Sequence, residues 1–170
     1  MARKKSANNR MAIAGMFGIM TVLMLFLAKL VPNVLVVPVL LLAGLFISGL
    51  MVEEDIYLAL FTFVGCALLG LLLGGGMQRM APYLLFFGWY GIVKFLIEGL
   101  RDRVVCMAAK LVLFNCMMAL SCAVAPGLFA PYIQMPVLWG LLLMQAIFLV
   151  FDAALWLFAR FYAVSLRRKL

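Results

Sequence analysis

Four charged residues lie within long apolar segments of the sequence, where a charge is costly. Lys94 and Glu98 stand four residues apart in one segment, Lys110 lies in the next, and Asp152 lies in the last. An unpaired charge at the centre of a bilayer costs about 2.5 to 3.5 kcal/mol on insertion scales. Charges in such positions either neutralise one another between helices or serve transport and coupling, and both interpretations are open at this stage.

The depths of these residues favour pairing. At about 1.5 Å per residue, Lys94 and Lys110 both lie about 9 Å from the inner ends of their helices. On the same scale Glu98 lies about 3 Å deep, Asp152 about 12 Å and Asn115 about 16 Å, close to the midplane. We therefore predict an intramembrane charge cluster, with inward-facing side chains and opposite-charge contacts across helices, formed by Lys94, Glu98, Lys110, Asn115 and Asp152.

The acidic run Glu53, Glu54 and Asp55 invites comparison with intramembrane proteases that use paired glutamates. That chemistry also needs a nearby arginine and histidines on other helices, and the sequence contains no histidine. Carboxylates just before a helix are typical of a cap on its first turn. The four cysteines show no C-x-x-C spacing. We therefore predict no enzyme activity, no metal site and no cofactor.

The composition indicates an all-α integral membrane protein. Hydrophobic residues make up 69% of the chain and charged residues 12%, and the mean hydropathy is +1.23. A spanning helix needs about 20 apolar residues, and the alternation of a β-barrel strand is absent. We predict a compact bundle of six transmembrane helices at 11–31, 34–52, 56–73, 81–100, 104–125 and 136–160. Residues 1–10 and 161–170 form basic tails.

The distribution of positive charge predicts the orientation. With both termini in the cytoplasm, ten lysines and arginines lie inside, against Lys29 and Arg79 outside. This asymmetry follows the positive-inside rule and predicts a multi-pass protein of the cytoplasmic membrane. The basic inner surface suits anionic lipid head groups rather than nucleic acid. The inside set is Arg3, Lys4, Lys5, Arg10, Arg101, Arg103, Arg160, Arg167, Arg168 and Lys169.

One face of the fourth helix changes from aromatic to charged. Tyr83, Phe87 and Tyr90 recur at spacings of three and four ahead of Lys94, so they share a face. If that face points into the bundle, the outer half offers an aromatic cavity for a small, largely apolar solute. Ordinary core packing explains the same stripe. The candidate ligand-binding residues are Tyr83, Phe87, Tyr90, Gln134 and Trp139.

The first helix carries small residues at helical spacing. Ala14 and Gly18 stand four residues apart, and small residues at this spacing let another helix approach closely. The partner helix could belong to this chain or to another subunit, and the spacing leaves this open.

Together, six short helices, cytoplasmic termini, a basic amino-terminal tail and this small-residue motif resemble the substrate-binding S components of energy-coupling factor vitamin transporters. In that family an Ala-x-x-x-Ala motif of the first helix packs on a transmembrane coupling subunit, which a pair of cytoplasmic ATPases drives. Ala14 and Gly18 match it. The segment Pro82–Asn115 carries Phe-Gly-x-Tyr, then Lys, Glu, Arg-x-Arg, Lys and Asn. It is similar to uncharacterised small membrane proteins of Gram-positive anaerobic bacteria that are grouped with the S components.

The resemblance implies a substrate-capture subunit of an ATP-driven transporter for a vitamin or another small solute. S components bind their vitamins in the outer half, whereas the charges here lie in the inner half, so no ligand-binding residue carries over. The sequence has no phosphate loop, so ATP hydrolysis would belong to the partner subunits. The alternative is a non-transporting scaffold or assembly protein of the cell envelope. A pocket in the outer half would favour capture, and a solid outer half would favour the scaffold.

Overall fold

The computed structural model describes residues 7–53, 55–133, 137–162 and 164. The helices in this part of the chain begin with α1 (Ala7–Leu30), α2 (Asn33–Gly49), a 3-10 turn (Leu50–Glu53) and α3 (Ile56–Leu73). It continues with α4 (Met77–Pro82), a π-helical segment (Tyr83–Phe87), α5 (Gly88–Ile97), α6 (Arg103–Val124), α7 (Pro126–Ile133) and α8 (Val137–Phe161).

Six helices in the described part of the chain are long and apolar enough to cross a membrane, which confirms an all-α protein with six membrane-length helices. All six overlap their predicted ranges, and the second, third and fifth begin within one residue of their predicted starts. These helices are Asn8–Leu30, Asn33–Val52, Ile56–Leu73, Met77–Ile97, Arg103–Val124 and Leu142–Phe161. The tail residues 1–6 and 165–170 lie outside the described residues, as do Glu54 and Gln134.

The fourth helix differs most from its predicted bounds, 81–100. It begins at Met77, directly after two glycines, Gly75 and Gly76, whose φ angles of 96° and 88° only glycine adopts readily. Pro82 has no N–H to donate, and the π-helical segment Tyr83–Phe87 follows it within the same continuous helix. The predicted range places the helix start at Ala81, whereas Ala81 and Pro82 are the last two residues of α4.

Asp55 caps α3, as predicted for the acidic run. Its Oδ1 accepts a hydrogen bond from the backbone N–H of Leu58 at 3.0 Å. Its Oδ2 lies 3.1 Å from Nη1 of Arg10. The carboxylate therefore satisfies a free amide of the first turn and also ties the start of α3 to the start of α1.

Arg79 closes the opposite end of α1. Its guanidinium donates to the backbone oxygens of Ala28, Lys29 and Val31 at 3.0 to 3.1 Å, and to Oδ1 of Asn33 at 3.2 Å. The last carbonyls of a helix have no partner within the helix, so Arg79 supplies donors that the turn into α2 needs. Sequence analysis counted Arg79 only as an outer positive charge.

The fourth helix lies at the centre of the bundle and packs closely on α2. A Cβ added to Gly44 would lie 2.3 Å from the backbone oxygen of Phe87, and one added to Gly91 would lie 2.3 Å from Cβ of Ser48. Both glycines therefore allow a backbone approach that no larger residue permits. This packing fixes α5, which carries Lys94.

Candidate functional site

The charged quartet consists of Lys94, Glu98, Lys110 and Asp152, and the structure brings all four together. Nζ of Lys94 lies 2.6 Å from Oδ1 of Asp152 and 2.9 Å from Oε1 of Glu98. Nζ of Lys110 lies 2.6 Å from Oε1 of Glu98 and 3.3 Å from Oδ2 of Asp152. Each lysine thus contacts both carboxylates, and the predicted pairing of α5, α6 and α8 is confirmed.

Burial and hydrogen bonding explain why these charges are tolerated. The side chains of Lys94 and Lys110 are 8% and 7% exposed, while Glu98, at the end of α5, is 41% exposed. Lys94 also donates to the backbone oxygen of Asp152 at 3.2 Å, and the Tyr90 hydroxyl donates to Oδ1 of Asp152 at 2.8 Å. Two positive and two negative groups cancel, so the quartet buries no net charge.

An aromatic cluster fills the space next to the quartet. Its members are Phe86, Tyr90, Phe114, Phe148 and Phe151, all at most 1% exposed. The rings of Phe114 and Phe148 stack at a centroid distance of 4.6 Å, and those of Phe86 and Tyr90 lie 4.6 Å apart. Rings at these distances leave no room for a solute between them. The cluster therefore forms a packed core between α5, α6 and α8.

The predicted ligand-binding residues occupy different environments. Tyr83, Phe87 and Tyr90 are fully buried, and Tyr90 and Phe87 contact Phe151 of the packed core. Trp139 is 66% exposed, so it lies on the surface of the bundle rather than beside them. The spacing predicts only that the three fourth-helix residues share a face. In the structure that face points into the bundle, where side chains of facing helices already fill the space.

Asn115 does not join the charged quartet, which corrects the prediction. It lies on an exposed part of α6, where its Nδ2 donates to the backbone oxygen of Leu111 at 2.8 Å and its Oδ1 accepts from Nε2 of Gln145 at 2.7 Å. Five residues separate it from Lys110, which turns it about 140° away around the helix. Sequence reasoning missed Gln145, although it lies two helical turns before Asp152.

A small cavity of about 130 Å³ lies beside the quartet. Lys94, Glu98, Ser48 and Gly91 contribute to its walls. The hydroxyl of Ser48 donates to the backbone oxygen of Leu45 at 2.7 Å. The cavity is large enough only for a few water molecules or a very small solute.

A larger apolar groove runs between α1 and α3, with a volume of about 760 Å³. Here it is called the α1–α3 groove, and its walls extend from Met11 to Phe26 on α1 and from Leu58 to Leu73 on α3. The fifteen steps from Met11 to Phe26 correspond to about 22 Å of length. This is most of the thickness of a bilayer's hydrocarbon core, which is about 30 Å.

Ala14 and Gly18 both line the α1–α3 groove. Sγ of Cys66 lies 3.5 Å from the backbone oxygen of Gly18, and a Cβ on Gly18 would lie 3.4 Å from Cγ2 of Thr62. The predicted close approach of a helix is thus confirmed, and that helix is α3 of the same chain. Docking of a second protein on these residues stays a prediction.

Two further glycines open onto the groove. Gly15 and Gly65 line it, and a Cβ added to either would meet nothing within 4 Å. At Gly44 and Gly91, in contrast, packing within the chain leaves no room for a side chain. The sequence alone does not single out Gly15 or Gly65, because the groove depends on how α1 and α3 pair.

No family model, curated protein or solved structure matches this chain. Within the described ranges, no group of three or more histidine, cysteine, aspartate or glutamate side chains is placed to hold a metal ion.

Proposed function

We propose that this protein is a membrane-embedded scaffold or assembly protein, without enzyme activity, which docks on a transmembrane helix of a second membrane protein. The α1–α3 groove is the observation that carries this proposal. In the proposed arrangement the chain resides in the cytoplasmic membrane with both termini inside, as the positive charges favour.

The shape of the groove suits a helix. It is long and almost wholly apolar, and the polar groups of Thr62 and Cys66 are engaged within the chain, by the backbone oxygens of Leu58 and Gly18. Association of helices in lipid depends on close van der Waals packing, and small residues allow two backbones to approach. Gly15 and Gly65 provide that access on the two sides of the groove.

The packed aromatic cluster supports assembly over solute capture. Tyr83, Phe87 and Tyr90, the residues expected to line an outer cavity, are buried against other side chains. A scaffold needs a rigid core and an open docking surface. The quartet and the aromatic cluster provide the rigid core, and the α1–α3 groove provides the docking surface.

Docking through the groove is tested by copurification of the tagged chain from its native membranes. Replacing both Gly15 and Gly65 with leucine should reduce recovery of its specific membrane partner by about tenfold, because the added side chains fill the groove. Both sites have open space for a Cβ, so the variant should fold and insert normally.

Gly127→Leu is the matched control. Gly127 is also helical and also has nothing within 4 Å of an added Cβ, but it lies on α7, outside the groove. It should retain the partner at the wild-type level. Equal recovery of the partner with the groove variant and the control would contradict docking through the groove.

A second candidate is the substrate-capture subunit of an ATP-driven uptake transporter, in which the groove would contact the coupling subunit. One observation favours it. The Tyr83 hydroxyl is buried without a hydrogen-bond partner in the described structure, although buried polar groups are normally paired. A solute with an acceptor or donor could satisfy this hydroxyl if the fourth helix opens.

Capture is tested by native mass spectrometry of the purified chain with a panel of vitamins. A bound vitamin whose affinity falls about fivefold in Tyr83→Phe, the change expected for one hydrogen bond, would support this function. Tyr57→Phe is the control, since Tyr57 is 77% exposed. Absence of any bound vitamin would contradict substrate capture and favour the scaffold function.

A further inference from the structure

Asn115 presents a carboxamide on the surface of α6, close to the middle of the bilayer. It lies twelve residues after Arg103, or about 18 Å along a helix of 22 residues that extends about 33 Å. The residue is exposed. Polar side chains at this depth are expensive, and those that occur in membrane helices usually have a partner or a function.

The hydrogen-bonding capacity of Asn115 is only partly used within the chain. One N–H donates to the backbone oxygen of Leu111, and Oδ1 accepts from Gln145. A carboxamide has two N–H donors and two acceptor lone pairs, so one of each is left over. The hydrocarbon of the bilayer supplies neither donors nor acceptors, so a polar group of a protein must pair with them there.

We propose that Asn115 lies at the centre of a two-fold symmetric interface through which two copies of this chain associate in the membrane. The free N–H of each Asn115 donates to Oδ1 of the partner copy. A carboxamide carries both a donor and an acceptor. Two copies of Asn115 related by a two-fold axis can therefore each donate one hydrogen bond to the other and accept one from it. Isologous contacts of this kind are the commonest in homo-oligomers.

The surroundings of Asn115 leave room for a second copy. Val112, one turn before it on α6, is 62% exposed, and Leu149, one turn after Gln145 on α8, is 46% exposed. Exposed apolar side chains therefore flank the Asn115 amide on both helices. The α1–α3 groove lies on other helices, so self-association and docking in the groove use separate surfaces.

Fluorescence energy transfer measures this association. Copies of the full chain that carry donor or acceptor fluorescent proteins are mixed in phosphatidylcholine vesicles at varied protein-to-lipid ratio. The wild type should dimerise, and Asn115→Leu should raise the dissociation constant about tenfold, since two interhelical hydrogen bonds per dimer are lost.

Gln145→Leu separates this interface from a role within one chain. It removes the same bond between α6 and α8 but leaves the Asn115 amide on the surface. Both variants should therefore lose some thermal stability, whereas only Asn115→Leu should weaken the dimer. Equal weakening by both variants, or a wild type that is monomeric at every ratio, would overturn the proposal.

Discussion

Replacing Asp152 with asparagine should lower the free energy of unfolding by about 3 kcal/mol, because it removes one partner from a buried set of ion pairs. Asp152 contacts both lysines of the charged quartet and accepts from Tyr90. Without its charge the quartet has a net charge of +1, and Glu98 alone must compensate Lys94 and Lys110. Unfolding of the purified protein in mixed micelles, followed by circular dichroism, measures the loss.

Asp55→Asn is the matched control for this change. Asp55 pairs with Arg10, but their side chains are 25% and 28% exposed, and asparagine preserves the cap of α3. The expected loss is below about 1 kcal/mol. Adding Lys110→Met to Asp152→Asn restores neutrality and should recover part of the stability. Similar losses for the two asparagine variants would contradict a buried, mutually dependent quartet.

Gly44→Ala should lower the free energy of unfolding by about 3 kcal/mol or prevent folding. The new Cβ would lie 2.3 Å from the backbone oxygen of Phe87 and 3.0 Å from its carbonyl carbon. Backbone atoms in the middle of a buried helix cannot rotate away as a side-chain end can. Folded yield and the same unfolding assay measure the effect.

Gly15→Ala is the corresponding control, since nothing lies within 4 Å of its added Cβ. Alanine favours a helix over glycine by about 1 kcal/mol, so this variant should be as stable as the wild type or more so. If Gly44→Ala unfolds at the same denaturant concentration as Gly15→Ala, the close packing of α2 on the fourth helix is wrong.

The helices could be predicted from sequence because apolar runs of about 20 residues are a local property. The predicted start of the fourth helix, Ala81, is four residues late, because the turn ends at Gly75 and Gly76 and the residues after them are already helical. The pairing within the quartet was predictable too. It follows from matched depths of opposite charges and from the cost of leaving any one of them alone.

Features that depend on how helices are arranged could not be predicted in the same way. Two hydrogen-bonded contacts join residues on different helices: Arg79 donates to the end of α1, and Gln145 donates to Asn115. The α1–α3 groove likewise requires a pairing that the spacing of Ala14 and Gly18 left open. Periodicity identifies a face of one helix, and the neighbours of that face come from tertiary packing.

Photo-cross-linking from position 15 in native membranes tests the proposed docking most directly. A photoreactive amino acid in place of Gly15 would point its group into the α1–α3 groove, and one in place of Gly127 serves as the control. The proposed function predicts a cross-link from position 15, but not from position 127, to a transmembrane segment of one other protein. Cross-links from position 15 to lipid alone would contradict it.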